Sequence, residues 1–179
     1  MSNYSSCQVS SAWNLSCLSS VGGLKAVYLG GNITGYTETS GEISQVDGSG
    51  SVYLFELGKN GGSSLTETIN NSLENGTLFY QQDLVLVFAK LETELRNQIK
   101  LLAQNRGLTA FVEDNNGNIW FLGTDFDGGW LSAGTAATGV AFGDSSQYSI
   151  TLQFFSQSPM MMLDDTLANV LSGITIVTS

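Results

Sequence analysis

Histidine is absent from this 179-residue chain, and cysteine and proline are nearly so, with two and one respectively. Without histidine the chain lacks the most versatile general base and the commonest transition-metal ligand. Cys7 and Cys17 alone make a poor metal site, and the sequence leaves open whether they form a disulfide. No Gly-x-Ser-x-Gly turn exposes a nucleophilic serine. We therefore expect a protein that is not an enzyme, with no cofactor and no metal.

Basic residues are also scarce. Six lysines and arginines stand against 16 aspartates and glutamates, which gives a formal net charge of −10, and no basic residue follows Arg106. A surface of this sign repels the phosphates of nucleic acid. Charged residues make up only 12% of the chain, so much of its exterior must be neutral. Such an exterior is expected where neighbouring subunits cover it, and a soluble β-domain with a serine- and threonine-rich surface is the alternative.

An N-terminal basic stretch and long apolar runs are missing as well. The first lysine is Lys25, so the N-terminus does not resemble a secretory signal. No apolar run approaches the roughly 20 residues that a membrane-spanning helix needs. We expect no membrane association, and synthesis in a cytoplasm that keeps thiols reduced.

Glycine, serine, threonine and asparagine are abundant instead, and they favour turns between short strands. One domain over 1–179 is expected, because no charged or proline-rich linker divides the chain, and about 20 N-terminal residues should form an extended arm. The predicted class is mainly β (α+β), an antiparallel β-sandwich or barrel-like sheet with one flanking helix and a long β-hairpin. Strands are predicted over 24–29 (closed by Gly30-Gly31), 52–57, 108–113, 119–123, 147–155 and 174–177.

A helical period stands out in residues 91–105. Four apolar side chains there form one narrow stripe that should pack on a sheet: Leu91, Leu95, Ile99 and Leu102. A short second helix is predicted to begin near Asp165 or Thr166. The apolar run 159–163 fits either a core segment or a contact with a neighbouring chain.

The long hairpin is predicted from residues 64–73 and 78–88, which flank Asn75-Gly76. This dipeptide favours the positive φ angles of a two-residue type I′ turn. An isolated hairpin of this length is unstable in water, so its arms must lie on the parent sheet or on another chain. No partner for it is evident in the sequence, and we expect it to contact a neighbouring subunit through a set of candidate interface residues: Leu65, Ile69, Leu73, Asn75, Gly76, Leu78 and Tyr80.

Three further patterns have simpler interpretations than binding. The glycines of 134–139 have the spacing of a phosphate-binding loop, but Val140 stands where the essential lysine belongs. Residues 125–129 begin like a calcium loop and lack its remaining ligands, which favours a tight turn. Trp13, Trp120 and Trp130 could stack on sugars, although Trp120 lies mid-strand, where core packing is usual.

Several segments together resemble virion structural proteins of tailed bacteriophages, particularly those of Bacteroidetes hosts. They are spread over roughly residues 20–155: 65–70 (LTETIN), 74–77 (ENGT), 96–106 (RNQIKLLAQNR), 112–117 (VEDNNG), 133–139 (AGTAATG) and 143–144 (GD). Within such virions, the order of strands, long hairpin, single helix and further strands is similar to that of tail tube proteins.

The resemblance implies a structural subunit of a virion, which assembles with itself and with other virion proteins into stacked rings around a conduit for DNA. The likeness to tail tube proteins implies that these rings are hexameric. An acidic wall would let DNA pass without specific binding. The candidate lumen carboxylates are Glu67, Asp83, Glu113 and Asp114.

Three alternatives remain at this point. A head-to-tail connector or a capsid decoration protein would share the same sequence features. A carbohydrate-binding β-sandwich fits the composition. A hydrolase with a site that these patterns do not reveal is the third.

Overall fold

The computed structural model describes residues 9–14, 17–59 and 61–178. Its elements in chain order are β1 (Leu24–Thr39), β2 (Glu42–Glu56), β3 (Ser64–Ser72), β4 (Thr77–Ala89), α1 (Thr93–Gln104), β5 (Ala110–Asp114), β6 (Ile119–Leu122), β7 (Trp130–Ala137), β8 (Gln147–Ser156), β9 (Met161–Met162), α2 (Leu167–Val170), β10 (Leu171–Ser172) and β11 (Thr175–Val177).

The strands form two sheets. Sheet A has the order β10-β2-β1-β5-β6-β9, with β11 also paired to β2, and sheet B has the order β3-β4-β8-β7. Sheet B is antiparallel throughout, and in sheet A only β10 and β11 run parallel to their neighbour. The predicted class, a mainly β sandwich with a flanking helix and a long hairpin, is confirmed.

Two long hairpins differ in their turns. In the β3–β4 hairpin Ser72 pairs with Thr77, so the loop holds the four residues 73–76, of which only Gly76 has a positive φ, at 64°. The predicted two-residue type I′ turn at Asn75-Gly76 is therefore wrong. A two-residue turn with both φ angles positive occurs instead at Ser40-Gly41, between β1 and β2.

The prediction that the first strand closes at Gly30-Gly31 is also wrong. Strand β1 continues through both glycines to Thr39 and pairs with β2 along most of its length. Three register shifts interrupt the β1–β2 ladder, at Gly30/Asn32, Ile33/Gly35 and Thr37/Glu38. Bulges of this kind break the alternation of apolar and polar residues, which hides the strand from pattern analysis.

A hydrophobic core fills the space between the two sheets. Sheet A contributes residues such as Val27 and Leu29, and sheet B contributes alternate residues of β4 and β8, including Leu84, Leu86 and Leu152. The predicted alternation in β8 is confirmed, because Ile150, Leu152 and Phe154 are buried on one face.

A second core lies on the opposite face of sheet A, where the C-terminal segment covers it. The stacked rings of Phe111 and Phe121, with centroids 4.7 Å apart, form its centre. Residues from Met161 to Ile176 pack over these rings, and Leu163 is buried. The run 159–163 is therefore mostly core, because Leu163 is buried and Met160 and Met161 are partly buried against the two cores, whereas Pro159 is exposed. The predicted short helix and terminal strand are confirmed as α2 and β11.

Helix α1 matches its prediction closely and lies at the margin of the first core. None of its side chains is fully buried. Leu95, Ile99 and Leu102 are half-buried and pack on the core, whereas Leu101 is exposed and Leu91 of the predicted stripe lies before the helix begins. The helix therefore belongs to the subunit, as expected, but its apolar stripe lies less deeply than the periodicity indicates.

The N-terminal arm is exposed over its described residues, 9–14 and 17–23. Cys7 lies outside the described residues, so the structure does not bear on its pairing with Cys17.

Candidate assembly surface

The β3–β4 hairpin has a partner within its own chain. Strand β4 pairs with β8 from Tyr80 to Ala89, in register with Ser156 to Gln147. This pairing shows that the expectation from the sequence, a hairpin without an internal partner, is wrong. The partner was missed because nothing in the sequence of β8 indicates that this strand lies beside β4. What remains for a neighbouring subunit is the outer edge of β3 and the tip that extends beyond Tyr80.

The hairpin tip is rich in exposed apolar side chains. Ile69 and Leu78 are exposed over more than half of their surface, and Leu73 is 97% exposed at the turn. Asn75 and Gly76 are exposed beside it. Two other candidate interface residues differ, because Leu65 packs against the inter-sheet core and Tyr80 is half-buried.

The edges of the two sheets contrast sharply. Sheet A ends in β9, β10 and β11, which are only two or three residues long. Short edge strands are a common protection against unwanted pairing. Sheet B ends in β3 and β7, nine and eight residues long, and within the described residues neither has a partner on its outer side.

Each long edge carries only one of the usual protective features, an inward-pointing charge in β3 and a bulge in β7. Strand β3 has no lysine, arginine or proline, and its one charge, Glu67, is turned towards the inter-sheet side. Strand β7 has no charged residue at all. A bulge between Leu131 and Ala133 interrupts its start, and the following residues to Ala137 pair regularly with β8. Both edges thus remain open to addition of another strand.

We call the side of sheet B that faces away from sheet A the open face. Asp83 lies at its middle, where the side-chain amides of Gln81 and Gln153 donate hydrogen bonds to its two carboxylate oxygens, at 2.9 and 3.0 Å. By register, the neighbours of Asp83 on this face carry hydroxyl, amide and apolar side chains: Thr66, Gln81, Val85 and Gln153, with Thr68 and Thr151 on the diagonals. Among the described strand residues of this face Asp83 is the one charge.

The other three candidate lumen carboxylates lie elsewhere. Glu67 is on the inter-sheet side of β3, where one of its oxygens accepts hydrogen bonds from Gln82 Nε2 and the Met160 backbone N–H. Glu113 forms an ion pair with Lys25 in sheet A. The four residues therefore do not share a surface, because the alternation of strand faces places Glu67 and Asp83 on opposite sides of one sheet.

Asp114 organises the β5–β6 turn. Its carboxylate accepts hydrogen bonds from the backbone N–H groups of Asn116 and Asn118, from the Asn118 side chain and from Trp120 Nε1. Partial burial opposes ionisation of this carboxyl, but these hydrogen bonds outweigh that effect and hold its pKa below the ordinary value. Asp114 is therefore a structural residue of the turn.

Two features of sheet B are missed by the sequence patterns. The rings of Phe79, Phe155 and Trp130 form an aromatic row at the tip end of the open face, with successive centroids 5.7 and 5.5 Å apart. At the opposite end, the β7–β8 loop presents Val140 and Phe142 fully to solvent. The aromatic row forms only when the strands pair, so no local sequence pattern reveals it. The exposed pair in the β7–β8 loop could have been predicted, because two apolar residues stand in a glycine-rich segment.

A separate polar groove, with a volume of about 560 Å³, runs between the bulged part of β1 and the turn at 123–128. Phe126, Asp127 and Gly128 adopt successive positive φ angles there, which confirms a tight turn at 125–129. Asp125 accepts hydrogen bonds from the Ser156 hydroxyl and the Gln157 N–H.

The described residues contain no group of three or more histidine, cysteine, aspartate or glutamate side chains placed to hold a metal ion. In the same part of the chain, no helix is long and apolar enough to cross a membrane. No family model, curated protein sequence or solved structure matches this chain.

Proposed function

We propose that the chain is a structural subunit of a tailed-phage virion, of the tail-tube kind, which forms rings that stack around a channel for DNA. The observation that carries this proposal is the contrast between the two sheets. Sheet A ends in strands of two or three residues, of which β10 and β11 pair with only part of the outer side of β2, whereas sheet B ends in two longer strands that have no outer partner within the described residues.

The strand directions of sheet B favour closure into a ring. Its four strands alternate in direction, so β3 and β7 run antiparallel to each other. Rotation about a ring axis parallel to the strands would bring β3 of one subunit beside β7 of the next in antiparallel orientation. Repeated around the ring, this contact is heterologous and gives one continuous antiparallel barrel. The resemblance noted above implies six subunits.

The open face of sheet B would then line the channel. Its hydroxyl and amide side chains offer no cation to a phosphate, and Asp83 adds a carboxylate from every subunit. Negative charge acts over a Debye length of about 8 to 10 Å at moderate salt. Such a wall lets DNA pass without holding it. Asp83 is thus the one candidate lumen residue that this arrangement retains.

The free edge of β3 can be tested through a single backbone N–H. Val87 of β4 directs its N–H towards the β3 side, where the Ser63 hydroxyl accepts it at 3.0 Å. Because N–H direction alternates along an antiparallel ladder, the odd-numbered residues of β4 bond to β3. The β3 residues that pair with them are even-numbered. The odd-numbered residues of β3, including Ile69, therefore direct their backbone N–H groups to the free edge.

Ile69→Pro removes that amide without removing a bond to β4, and proline is tolerated on an edge strand. We expect this variant to fold, by circular dichroism, and to lose ring assembly in sedimentation and electron microscopy. Ile69→Thr is the matched control, because it keeps the amide and also loses the apolar side chain. Rings that form equally well from both variants would show that β3 does not make the contact.

A head-to-tail connector or a capsid decoration protein would use the same edges. The number of ring layers separates these roles, because a tail tube protein stacks its rings into tubes whereas a connector or decoration protein does not.

A second candidate function, carbohydrate binding, is favoured by one specific observation. The aromatic row of Phe79, Phe155 and Trp130 lies beside the polar groups of Gln81, Asp83 and Gln153 on the open face. Aromatic rings next to amides and a carboxylate are suited to stack on and hydrogen-bond a sugar. A monomeric protein that binds glycans, and loses that binding on Trp130→Ala, would favour this function over ring assembly.

A further inference from the structure

The N-terminal arm carries apolar side chains that its own subunit does not cover. Trp13 is 81% exposed and Leu18 is 98% exposed. Within its described residues the arm is held at its base, where the side chain of Asn116 forms two hydrogen bonds with the backbone of Val21 and that of Asn115 donates one to Gly22 O. A large indole exposed on a tethered segment is costly in water, which favours a partner for it.

The arm also differs from the rest of the chain in charge. Residues 1–24 include no aspartate, glutamate, lysine or arginine, although the whole chain has a net charge of −10. Two copies of such an acidic protein repel each other over most of their surfaces. A neutral arm approaches an acidic neighbour without that penalty.

A shallow apolar groove, with a volume of about 120 Å³, lies between helix α1 and strand β2. Leu29, Phe55, Leu102 and Leu108 contribute to its lining. Tyr53 and Leu101 line it too, and each keeps more than half of its surface exposed. The polar side-chain groups of the lining are the amides of Gln98 and Asn105, at the helix side, and the Tyr53 hydroxyl, so the groove offers no charged side chain to an occupant.

We propose that the N-terminal arm of a second copy of this chain lies in the α1–β2 groove, with Trp13 packed between Tyr53 and Leu101. Val21, where the arm is tethered, lies eight positions after Trp13, which allows an extended reach of roughly 26 Å. Trp13 is exposed in its own subunit, so it does not fill its own groove. This contact uses neither edge of sheet B. The proposed arm contact can therefore be tested independently of ring closure.

Cross-linking between two different variants tests the exchange, because a mixture reports contacts between chains only. In a Cys7→Ser and Cys17→Ser background, one preparation carries Ala12→Cys, beside the indole, and the other carries Gln98→Cys, in the groove. We expect a short bismaleimide to join them into a heterodimer. The matched control replaces Gln98→Cys by Arg96→Cys, which lies on the opposite side of α1 and should give no heterodimer.

Adding Trp13→Ala to the Ala12→Cys preparation should lower the heterodimer yield at least tenfold, since aromatic anchors dominate such contacts. An equal yield with Arg96→Cys, or no effect of Trp13→Ala, would overturn the proposal. A cross-link that forms only within a single chain carrying both Ala12→Cys and Gln98→Cys would overturn it too. Ile69→Pro separates the two proposals: the heterodimer should persist in this variant although rings are lost.

Discussion

Carboxylates play distinct parts in this chain, and their hydrogen bonds distinguish them. Glu67 lies between the sheets and is bound by Gln82 and Met160. Asp114 closes a turn through backbone donors. Asp83 lies on the open face and is held by two glutamine amides alone. The net charge of the chain therefore does not predict which carboxylate would face a channel, since Glu67 and Asp114 have structural partners.

Glu67→Leu should destabilise the subunit by about 2 kcal/mol, because it leaves the Met160 N–H and the amide of Gln82 without an acceptor, and Gln82 is only 2% exposed. Denaturant unfolding of the monomeric protein measures the loss. Asp83→Leu is the control, with a smaller effect expected on the open face. If the two substitutions cost the same, Glu67 does not have the structural role assigned to it.

Asp114→Asn should cost about 1.5 to 3 kcal/mol at neutral pH, the range for hydrogen bonds to a charged acceptor. The pKa of Asp114 is lowered by folding, so its contribution is complete above the unfolded pKa of about 3.9 and is lost as the pH falls through the folded pKa. The difference in unfolding free energy between wild type and variant should therefore shrink in acid. Glu74→Gln, at the exposed tip, should have no effect at either pH.

Residue roles were the least predictable part of the molecule. Trp120 was expected to pack in the core, because aromatic side chains in the middle of strands are usually buried. It is partly buried and packs against the core between the sheets. The side of the sheet on which Glu67 lies depends on which neighbours β4 takes, and that choice is made by contacts far apart in sequence. The local sequence pattern therefore did not show that Glu67 and Asp83 lie on opposite sides of sheet B.

At the scale of elements, regular segments were predictable and irregular ones were not. Helix α1, the alternating strand β8 and both arms of the β3–β4 hairpin follow their hydrophobic periods. The β1–β2 hairpin was missed beyond Gly30, because its three bulges and its Ser40-Gly41 turn leave no steady alternation. The pairing of β4 with β8 spans the helix and three intervening strands, so turn chemistry carried no information about it.

Gly76→Val should destabilise the hairpin by about 1 to 2 kcal/mol, the cost of a left-handed conformation for a residue with a side chain, since Gly76 has a φ of 64°. Asn75→Val should be nearly neutral, because Asn75 is exposed and is not in that conformation. Denaturant unfolding compares the two. Equal losses would indicate that the turn has the type I′ geometry that the Asn-Gly dipeptide predicts.

At the scale of the whole molecule, the chain is acidic and carries few charges. Many of its exposed apolar residues lie on sheet B and on the N-terminal arm, and sheet B also has the two long unpaired edges. Ile69, Leu73, Leu78 and the aromatic row mark one end of sheet B, and Val140 and Phe142 mark the other. Exposed apolar groups at both ends of a sheet fit a subunit that is covered on several sides in its assembled form.

Assembled wild-type protein should not retain duplex DNA at about 0.15 M salt, because the strand residues of the open face, the proposed channel lining, offer no cation. Asp83→Lys should create retention that falls steeply as salt rises, since each ring then presents one lysine per subunit to the phosphates. Co-sedimentation of DNA with the rings measures this. Glu113→Lys is the control, because Glu113 lies in sheet A beside Lys25 and its replacement should leave DNA unbound.

Negative-stain electron microscopy of the purified full chain over a range of concentrations tests the central claim most directly. Closure of sheet B from subunit to subunit predicts annular particles with a stain-filled centre, which lengthen into tubes as concentration rises. Particles no larger than a single 19.0 kDa chain at every concentration would contradict it.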